Sequence, residues 1–390
     1  MADSEAARDA FRTFADAEIR PLADQIDRDQ TFPETLIGRL AAQGYLAPWL
    51  APDLGGRAMD YVTYGYLTEA VGHACASARS LLTAHGMTTQ ALARWGSTAQ
   101  KERIVPQLAR GEKIVALAVS EPRVGSDVAN PETEVRSEGG TLVLNGRKNW
   151  ITFGMRADLF LVLARYDGRP TTVLVEADSP GLTRSPIRDL MGVRGAMLAN
   201  LSFDGCVIDE AQIVGRPGFG FSMVINEALS LGRYSVAWGC VGLLRASLDA
   251  AVAYTATRCQ FGTEIRNHQL VAQKITNMMT DLRCATLLCE RAGQLRDRGD
   301  PEAVVETMIA KYRASTAATR AADDAVQLHG ANGVSPDYPV ARFARDARIM
   351  EIIEGSTQVL QTNIAGYAYR GRLAEPSGPP SGEPQRGDRD

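Results

Sequence analysis

The sequence predicts an α+β protein in which a helical domain, an antiparallel β domain and a second helical domain follow one another. Residues 5–115 are Ala-rich and repeat apolar side chains every three or four positions, as an amphipathic helix does. Near residue 116 this spacing gives way to short runs of Val, Ile, Leu and Thr separated by Gly, Asp and Pro. The helical spacing returns near residue 220. We therefore expect domains at 1–115, 116–218 and 219–370, followed by a disordered tail at 371–390.

The N-terminal helices are marked by their apolar positions and by the residues that separate them. Pro33 and Pro52 interrupt the periodic segments, as does the pair Gly55-Gly56. The periodic positions are Leu36, Leu40 and Leu46 in one segment, and Leu81, Leu82, Met87 and Leu92 in another.

The middle domain is predicted from segments that are alternating or wholly apolar. They lie at 141–146, 159–164 and 171–175, with turn residues at close spacing between them. Segments of this length and spacing are typical of an antiparallel sheet.

The C-terminal domain is predicted to contain long helices. One covers 223–257 and is interrupted only at Gly232 and Gly239; a second covers 267–296. Asp300-Pro301 supplies the N-cap and first position of a third. Residues 371–390 are rich in Pro, Gly and charge, which predicts disorder.

Composition is that of a globular protein with a sizeable core. The 390 residues are 45% hydrophobic and 23% charged, and the net charge of −4 gives no reason to expect nucleic acid or an anionic membrane as partner. No basic leader with an apolar core and no uninterrupted apolar run of about 18 residues occurs, so we expect a cytoplasmic protein.

The patterns of cysteine, histidine and glycine bear on which disulfides, metals and nucleotide cofactors can be expected. The six cysteines are scattered, which indicates reduced core thiols, and the four histidines lack metal-ligand spacing, so no metal is expected. No Gly-x-Gly-x-x-Gly follows a strand and no P-loop occurs. A Rossmann-type nicotinamide enzyme is therefore disfavoured.

Glu354 is the candidate catalytic carboxylate. An acidic residue taken alone most often lies on the solvated surface, but two isoleucines precede this one and Gly355 follows it. These neighbours favour a carboxylate at the edge of an apolar pocket. Desolvation there would raise its pKa towards neutrality, as a general base requires.

Four separated blocks resemble the acyl-CoA dehydrogenase family, flavoenzymes that oxidise the Cα–Cβ bond of acyl thioesters. The blocks are 117–127, 148–152, 258–262 with His268-Gln269, and 327–358, within a resemblance that spans about residues 5–370. It implies the acyl-CoA dehydrogenase-like fold, with a C-terminal domain like a four-helix bundle. It also implies FAD as cofactor and an acyl thioester as substrate.

The resemblance assigns the base to Glu354. Ser356 stands where the family usually has Thr, which preserves the hydroxyl. Some relatives place the base at the position matched by Gly232, which has no side chain to titrate. A purely structural carboxylate is the alternative for Glu354.

The resemblance also implies a flavin site built from two segments of the β domain. Ser120 replaces the usual Thr, and Phe153 stands where many members have Asn, so the polarity near the flavin can differ. The alternative for Trp150 is packing in the β-domain core. The flavin-lining residues are Val119, Ser120, Ser126, Trp150, Ile151 and Thr152.

The rest of the implied FAD site lies in the C-terminal domain. Arg258 resembles the arginine that binds the pyrophosphate, usually of a neighbouring subunit, and the alternative is a helix C-terminal cap. Ala331 replaces a glycine of the family, and His329 is expected to be packed rather than catalytic. The other residues assigned to the cofactor are Phe261, Gln269, Gln327, Leu328, Gly330, Ala331, Ser356 and Gln358, and those assigned to the substrate are Ser126, Arg233 and Gly355.

Partners and the acyl carrier are also expectations from the resemblance. Family members are homodimers or homotetramers and pass electrons to an electron-transferring flavoprotein or another acceptor. Residues 234–242 and 350–356 look most like a secondary-metabolism branch that includes hydroxymalonyl-acyl carrier protein dehydrogenases of polyketide biosynthesis. Oxidation there converts an α-hydroxyl to a carbonyl.

Several alternatives remain open at this point. They are a catabolic short- or medium-chain acyl-CoA dehydrogenase, a flavin oxidase or N-hydroxylating monooxygenase on the same fold, and a non-catalytic thioester-binding protein. The carboxylate at 354 argues against the hydroxylase, and the blocks around Arg258 and Gln327 argue against the non-catalytic protein.

Overall fold

A computed structural model describes residues 2–374 and confirms the order of helical, β and helical parts. The first part is entirely helical. Asp60 caps its fourth helix by accepting a hydrogen bond from the Thr63 backbone amide, and Ser97 and Gln100 form a capping box on its sixth. The helices are α1 (Ala2–Phe14), α2 (Ala23–Asp29), α3 (Glu34–Ala42), α4 (Tyr61–Ala74), α5 (Ala76–Trp95), α6 (Thr98–Arg103) and α7 (Val105–Ala109).

The middle part is an eight-stranded sheet. Its strands are β1 (Val115–Ala118), β2 (Glu134–Glu138), β3 (Thr141–Ile151), β4 (Leu159–Tyr166), β5 (Arg169–Glu176), β6 (Leu182–Pro186), β7 (Ala199–Ile208) and β8 (Ile213–Val214), in the order β6-β7-β3-β2-β4-β5-β8. The sheet is not purely antiparallel, because β1 and β2 both pair in parallel with β4, end to end along one edge. The chain leaves the sheet between them, so residues 119–133 form a loop at that edge.

The last part contains a small hairpin and five helices. They are α8 (Asn226–Thr255), β9 (Cys259–Gln260), β10 (Thr263–Glu264), α9 (Gln269–Asp297), α10 (Ala303–His329), α11 (Val340–Met350) and α12 (Thr357–Ala374). The third long helix begins at Ala303, slightly later than Asp300-Pro301 predicted, although Asp300 Oδ1 accepts a hydrogen bond from the Glu302 amide at 2.9 Å. Helix α12 continues four residues into the predicted disordered tail, and 375–390 lie outside the described residues.

Helix α8 is continuous, so the predicted interruptions at Gly232 and Gly239 are wrong. These glycines serve close packing instead of ending the helix. A Cβ at Gly239 would lie 2.6 Å from Arg79 Cδ on α5, and one at Gly242 would lie 2.2 Å from the Glu69 carbonyl oxygen on α4. The missing side chains therefore let α4 and α5 approach α8 closely.

The composition of α8 is that of a core helix. Within the described residues, one helical stretch, 220–255, is long and apolar enough to cross a membrane, but 72% of its most apolar window is buried inside the fold. Its burial joins the two helical domains into one apolar core, whereas the sheet encloses a second core of its own.

The cysteines are free thiols, as predicted, but only four of the six are buried. Cys259 and Cys284 are exposed on the hairpin and on α9. In the described part of the chain, no group of three or more His, Cys, Asp or Glu side chains is arranged to hold a metal ion.

Candidate active site

Glu354 lies in the short connection between α11 and α12, in a conformation that side chains seldom adopt. Its φ is 54°, and Gly355 follows with φ 92°. A left-handed residue other than glycine costs on the order of 1–3 kcal/mol and persists only where its surroundings hold it. Arg233 Nε donates to the Glu354 carbonyl oxygen at 3.1 Å, and Lys311 Nζ donates to the Gly355 carbonyl oxygen at 2.8 Å. Two cations from α8 and α10 thus fix the turn.

The carboxylate of Glu354 occupies the space that Gly232 leaves on α8. A Cβ built on Gly232 would lie 2.6 Å from Glu354 Oε2 and 2.6 Å from Met87 Sδ on α5. Glu354 Oε2 is buried and has no hydrogen-bond partner among the described residues. Leaving such an acceptor unsatisfied costs about 1–3 kcal/mol or more, so the fold buries a carboxylate oxygen that no protein donor satisfies.

Burial raises the pKa of Glu354, which confirms the predicted direction. The positive charges of Arg233, Lys311 and Arg79 oppose the rise without cancelling it. The two isoleucines before Glu354 were predicted to place it at an apolar pocket, and this is only partly right. Ile352 is 55% exposed and only Ile353 packs against the core. Gly232 and Met87 line the carboxylate instead.

Lys311 is fully buried, and this burial lowers its pKa to about 8. Its ammonium therefore remains largely protonated at neutral pH. It keeps its hydrogen bond to the turn that carries Glu354.

Trp150 projects from the sheet because of a bulge in β3. Lys148 pairs with Leu201 of β7 and Ile151 pairs with Ala199, so β3 has one more residue than β7 over this stretch. Trp150 takes φ 63° there and is 57% exposed, whereas Ile151 returns to the core. Packing of Trp150 in the β-domain core is thereby excluded.

A buried ion pair attaches the loop at 119–133 to this bulge. Lys148 Nζ donates to Glu121 Oε1 at 2.6 Å and to the Val119 carbonyl oxygen at 3.0 Å. The Glu121 carboxylate also accepts from the Glu132 and Thr133 backbone amides. Burial lowers the pKa of Lys148 to about 8; burial works to raise that of Glu121, but Lys148 and the two amides together hold it below its usual range.

The flavin-lining residues predicted from the sequence lie on these two connected segments. The Asn149 amide donates to the Ser120 carbonyl oxygen at 2.9 Å, which ties one segment to the other. Val119 and Ile151 are buried, Ser120 and Thr152 are half-buried, and Ser126 is exposed. Phe153 is not on this surface, because it is fully buried. Its ring packs edge-on against Phe32 of the N-terminal domain, with 5.3 Å between the ring centroids.

A second group of predicted residues lies at the opposite end of α8. Arg258 precedes the hairpin, and its guanidinium makes no hydrogen bond or ion pair with any described residue, so it does not cap α8. Phe261 is 95% exposed at the hairpin tip with φ 55°, and Gln269 is exposed at the start of α9. The hairpin thus presents an aromatic ring and a cation to solvent.

Residues 327–331 lie beside the C-terminal end of α8. His329 is buried and stacks on Tyr254 of α8 with ring centroids 4.2 Å apart, which confirms that it is packed. Leu328 is buried, whereas Gln327, Gly330 and Ala331 are exposed. Gly330 has φ 58° and ψ −134°, a conformation essentially restricted to glycine, with open space where a Cβ would be.

One chain therefore carries two separate sets of predicted residues. Gly232 and Thr255 are 23 residues apart on α8, or about 35 Å along its axis. That separation exceeds the length of an extended dinucleotide. Arg258 and Phe261, which follow the end of α8, therefore lie far from Glu354 of the same chain.

The remaining predicted residues lie close to Glu354. Ser356 Oγ accepts a hydrogen bond from the Val359 amide at 3.4 Å and so caps α12, while Gln358 is exposed. Arg79, Thr83 and Ser235 in the same seam were not identified from the sequence. Arg79 and Thr83 precede Met87 by eight and four residues, and Ser235 follows Gly232 by three, so their helical spacing was the available signal.

The two sets suit the two halves of a flavin dinucleotide. The exposed indole of Trp150 and the adjoining polar backbone at Ser120 offer a flat apolar surface with hydrogen-bonding groups at its edge. Arg258, Phe261 and the open backbone of Gly330 offer a phosphate ligand, an aromatic surface and room for close approach.

Family models match the chain in three consecutive parts. The acyl-CoA dehydrogenase N-terminal domain matches residues 1–112, the middle domain 116–206 and the C-terminal domain 218–368.

The chain is also similar to individual proteins of this family over nearly its whole length. The mitochondrial short-chain specific acyl-CoA dehydrogenase of Mus musculus is 35% identical over 369 residues, covering 93% of this chain and 89% of that protein. FkbI, whose structure is described as for biosynthesis of the methoxymalonyl extender unit of the Fk520 polyketide, is 34% identical with TM-score 0.85, covering 92% of this chain and 99% of its own. The prolyl acyl carrier protein oxidase AnaB is 27% identical with TM-score 0.89, covering 94% and 99%.

Proposed function

The chain belongs to the acyl-CoA dehydrogenase family, and on this premise we propose that it oxidises a short acyl group carried as a thioester on an acyl carrier protein. Members of the family are FAD-dependent oxidoreductases that act on acyl thioesters, and this chain is one of them. The observation that carries the proposed role of Glu354 is its buried, unpartnered Oε2 in the gap left by Gly232.

The proposed reaction removes a proton and a hydride from neighbouring atoms of the acyl group. FAD, when bound, supplies the hydride acceptor. Glu354 Oε2 accepts the proton, and burial favours this because it raises the pKa of the carboxylate. Arg233 and Lys311 keep the carboxylate in place by holding the backbone of its turn. The carboxylate packs between Met87 of α5 and Gly232 of α8.

A carrier-protein thioester is supported by two kinds of resemblance. Residues 350–356, which contain Glu354, and residues 234–242 of α8 look most like the carrier-protein branch of the family. The chain is also similar over nearly its whole length to FkbI and AnaB, proteins described in connection with an extender unit and an acyl carrier protein. A catabolic acyl-CoA dehydrogenase is the second candidate, favoured by the similarity to the short-chain enzyme.

The proposed electron acceptor is an electron-transferring flavoprotein. A structure described as the electron transferring flavoprotein of Acidaminococcus fermentans contains a chain like this one, with TM-score 0.91 and 28% identity. AnaB, described as an oxidase, supports oxygen as the alternative acceptor. Oxygen consumption during turnover, measured with and without an electron-transferring flavoprotein, separates the two.

A homo-oligomer is part of the proposal. The two sets of residues are too far apart to hold one FAD within one chain, so Arg258 and Phe261 would complete the site of a second copy. Phe261 is 95% exposed at the hairpin tip, where its ring is accessible to a second copy.

Glu354→Gln should fold and bind FAD but lose flavin reduction by substrate. The amide has nearly the same shape but cannot accept a proton, and loss of a general base slows a reaction by about 10²- to 10⁴-fold. In the wild type, the rate should fall on acidification through a pKa above the ordinary glutamate value of 4.5. Anaerobic stopped-flow bleaching of the flavin measures both effects, and near-normal bleaching of the variant would exclude Glu354 as base.

Gly232→Ala should displace the carboxylate without unfolding the protein. The new methyl group meets the far ends of two flexible side chains, Glu354 and Met87, and alanine favours a helix by about 1 kcal/mol over glycine. Misplacement of the base by about 1 Å can slow oxidation by about 10²-fold. Gly38→Ala on α3 is the matched control, because a Cβ there meets nothing within 4 Å. Equal activities of the two variants would contradict the assignment of this gap.

Arg258→Ala should weaken FAD retention and shift the protein towards smaller species. Loss of a charge-assisted contact to phosphate costs about 1.5–3 kcal/mol, or roughly tenfold or more in the FAD dissociation constant. The measurements are flavin content after gel filtration and mass by light scattering. Arg188→Ala, which changes an exposed arginine in the β domain, is the control. Full flavin content and unchanged mass would leave Arg258 without a role in the cofactor site.

An acyl group on a carrier protein should reduce the flavin about tenfold more efficiently than the same group on CoA. Carrier proteins are acidic, so their binding should weaken as salt rises. Stopped-flow reduction by matched thioesters at two ionic strengths tests the preference. Equal or higher rates with CoA would identify the chain as an acyl-CoA dehydrogenase.

A further inference from the structure

One carboxylate closes the connection between β1 and β2 into a loop. Glu121 accepts hydrogen bonds from the Glu132 backbone amide at 2.6 Å and from the Thr133 backbone amide at 3.0 Å. A surface loop whose ends are held together in this way is compact, and such loops frequently carry functional residues. We call residues 121–133 the clamped loop, and its neck is the place where Glu121 meets Glu132 and Thr133.

Lys148 attaches the neck of the clamped loop to the bulge of β3. Its Nζ donates to Glu121 Oε1 at 2.6 Å and to the Val119 carbonyl oxygen at 3.0 Å. Trp150 follows two residues later and projects from the same bulge. One short stretch of β3 therefore both holds the loop and presents the exposed indole.

The two charges are buried at a cost that apolar side chains would avoid. The Lys148 side chain is 0% exposed and that of Glu121 is 1% exposed. A buried ion pair gives up the hydration of both charges, and well-packed apolar residues of similar volume often stabilise a fold equally well. Apolar residues could not bind the Val119 carbonyl oxygen or the amides of Glu132 and Thr133. What the charges add is therefore a fixed position for the backbone at the neck.

The exposed part of the clamped loop depends on this neck for its orientation. Beyond the neck, the hydrogen bonds and ion pairs that it makes with described residues stay within the loop, such as that of Arg123 with Glu132 at 3.6 Å. Apolar packing, as of Val128 against the main core, supplements the neck but is not directional. Ser126, which the resemblance assigns to the flavin, lies on this exposed part.

We propose that Lys148 and Glu121 are positioning residues for FAD, which hold Ser126 and Trp150 in a fixed relation so that both can contact the flavin ring. This inference rests on the proposed function, which requires the flavin to lie beside these two segments. Binding groups act together only when the residues behind them hold them within about 0.5 Å of their productive positions. The ion pair supplies that support, because it is buried, directional and shared by both segments.

Lys148→Met and Glu121→Gln should each release FAD from the holoenzyme at least about tenfold faster than the wild type, since each loses charge-assisted hydrogen bonds at the neck. The visible circular dichroism of the bound flavin, which reports the surroundings of the ring, should change as well. Release is followed by the recovery of flavin fluorescence after dilution. Arg123→Met is the matched control, because it breaks an exposed ion pair of the same loop and should leave both signals unchanged.

The double variant Lys148→Met/Glu121→Leu separates positioning from stability. Removing both charges should bring its thermal unfolding closer to that of the wild type than either single variant, because neither leaves an unpaired buried charge. FAD release should nevertheless stay fast, since the hydrogen bonds at the neck are still missing. Release at the wild-type rate from this variant would assign the pair to stability alone and overturn the proposal.

Hydrogen exchange of the wild-type holoenzyme tests the clamp without any variant. The amides of Glu132 and Thr133, which bind Glu121, should exchange at least about tenfold more slowly than those of the exposed Arg123 and Asp127. Equal exchange of the four amides would show that the neck is open in solution and would refute the proposal.

Trp150→Leu separates a failure of this inference from a failure of the flavin site itself. If Trp150→Leu leaves FAD release and the flavin circular dichroism unchanged, the flavin does not lie on these segments and the proposed site is wrong. If Trp150→Leu alters both signals while folded Lys148→Met and Glu121→Gln alter neither, the site stands and the positioning role is refuted.

Discussion

The close approach of α5 to α8 is the constraint on which the site depends. Gly232 and Gly239 remove side chains from one face of α8, and the two gaps are filled by the Glu354 carboxylate and the Arg79 side chain. A cavity in a packed core is normally filled by apolar atoms, because empty space forfeits dispersion contacts. Here a carboxylate and a guanidinium fill the gaps. Glycine within a helix is destabilising, and the burial of α8 in the main core offsets this cost so that the helix stays continuous.

The charges around Glu354 explain why the backbone of its turn is held by two hydrogen bonds. Three cations, Arg79, Arg233 and Lys311, act on Glu354, and burial nevertheless raises the pKa of that carboxylate. Arg233 and Lys311 bind carbonyl oxygens of the turn rather than the carboxylate. An ion pair with Glu354 would hold the carboxylate ionised but would occupy the oxygen that accepts a proton in the proposed reaction. Binding the backbone stabilises the strained φ of Glu354 and leaves Oε2 free.

The sequence was sufficient to predict the order of the domains, because apolar periodicity is a local property that the burial of each element reflects. It also predicted the burial and raised pKa of Glu354, although only Ile353 of the two preceding isoleucines packs against the core, and the role of base was assigned by resemblance. Periodicity could not show that glycines within α8 serve packing, because a glycine that breaks a helix and one that admits a neighbour look alike in one chain. The parallel pairing of β1 and β2 with β4 could not be predicted either, because it depends on where the loop between β1 and β2 leaves and re-enters the sheet. Arg79 was missed for a related reason, because its burial in the gap at Gly239 depends on the packing of α5 against α8, which only the fold reveals.

The length of α8 bears on whether one chain can bind FAD without a second copy. Glu354 lies near the first turns of this helix, and the predicted phosphate and adenosine ligands lie beyond its last turn, about 35 Å away. A helix that is rigidly packed along its length cannot bring its two ends to one small molecule. If both ends bind FAD, each cofactor must be shared between two copies, and FAD binding is then thermodynamically linked to association. The exposed Phe261 and Arg258 at the hairpin are where that linkage would act. Dilution should consequently release FAD from the wild-type protein, whereas a site complete within one chain would keep FAD at any protein concentration above its dissociation constant.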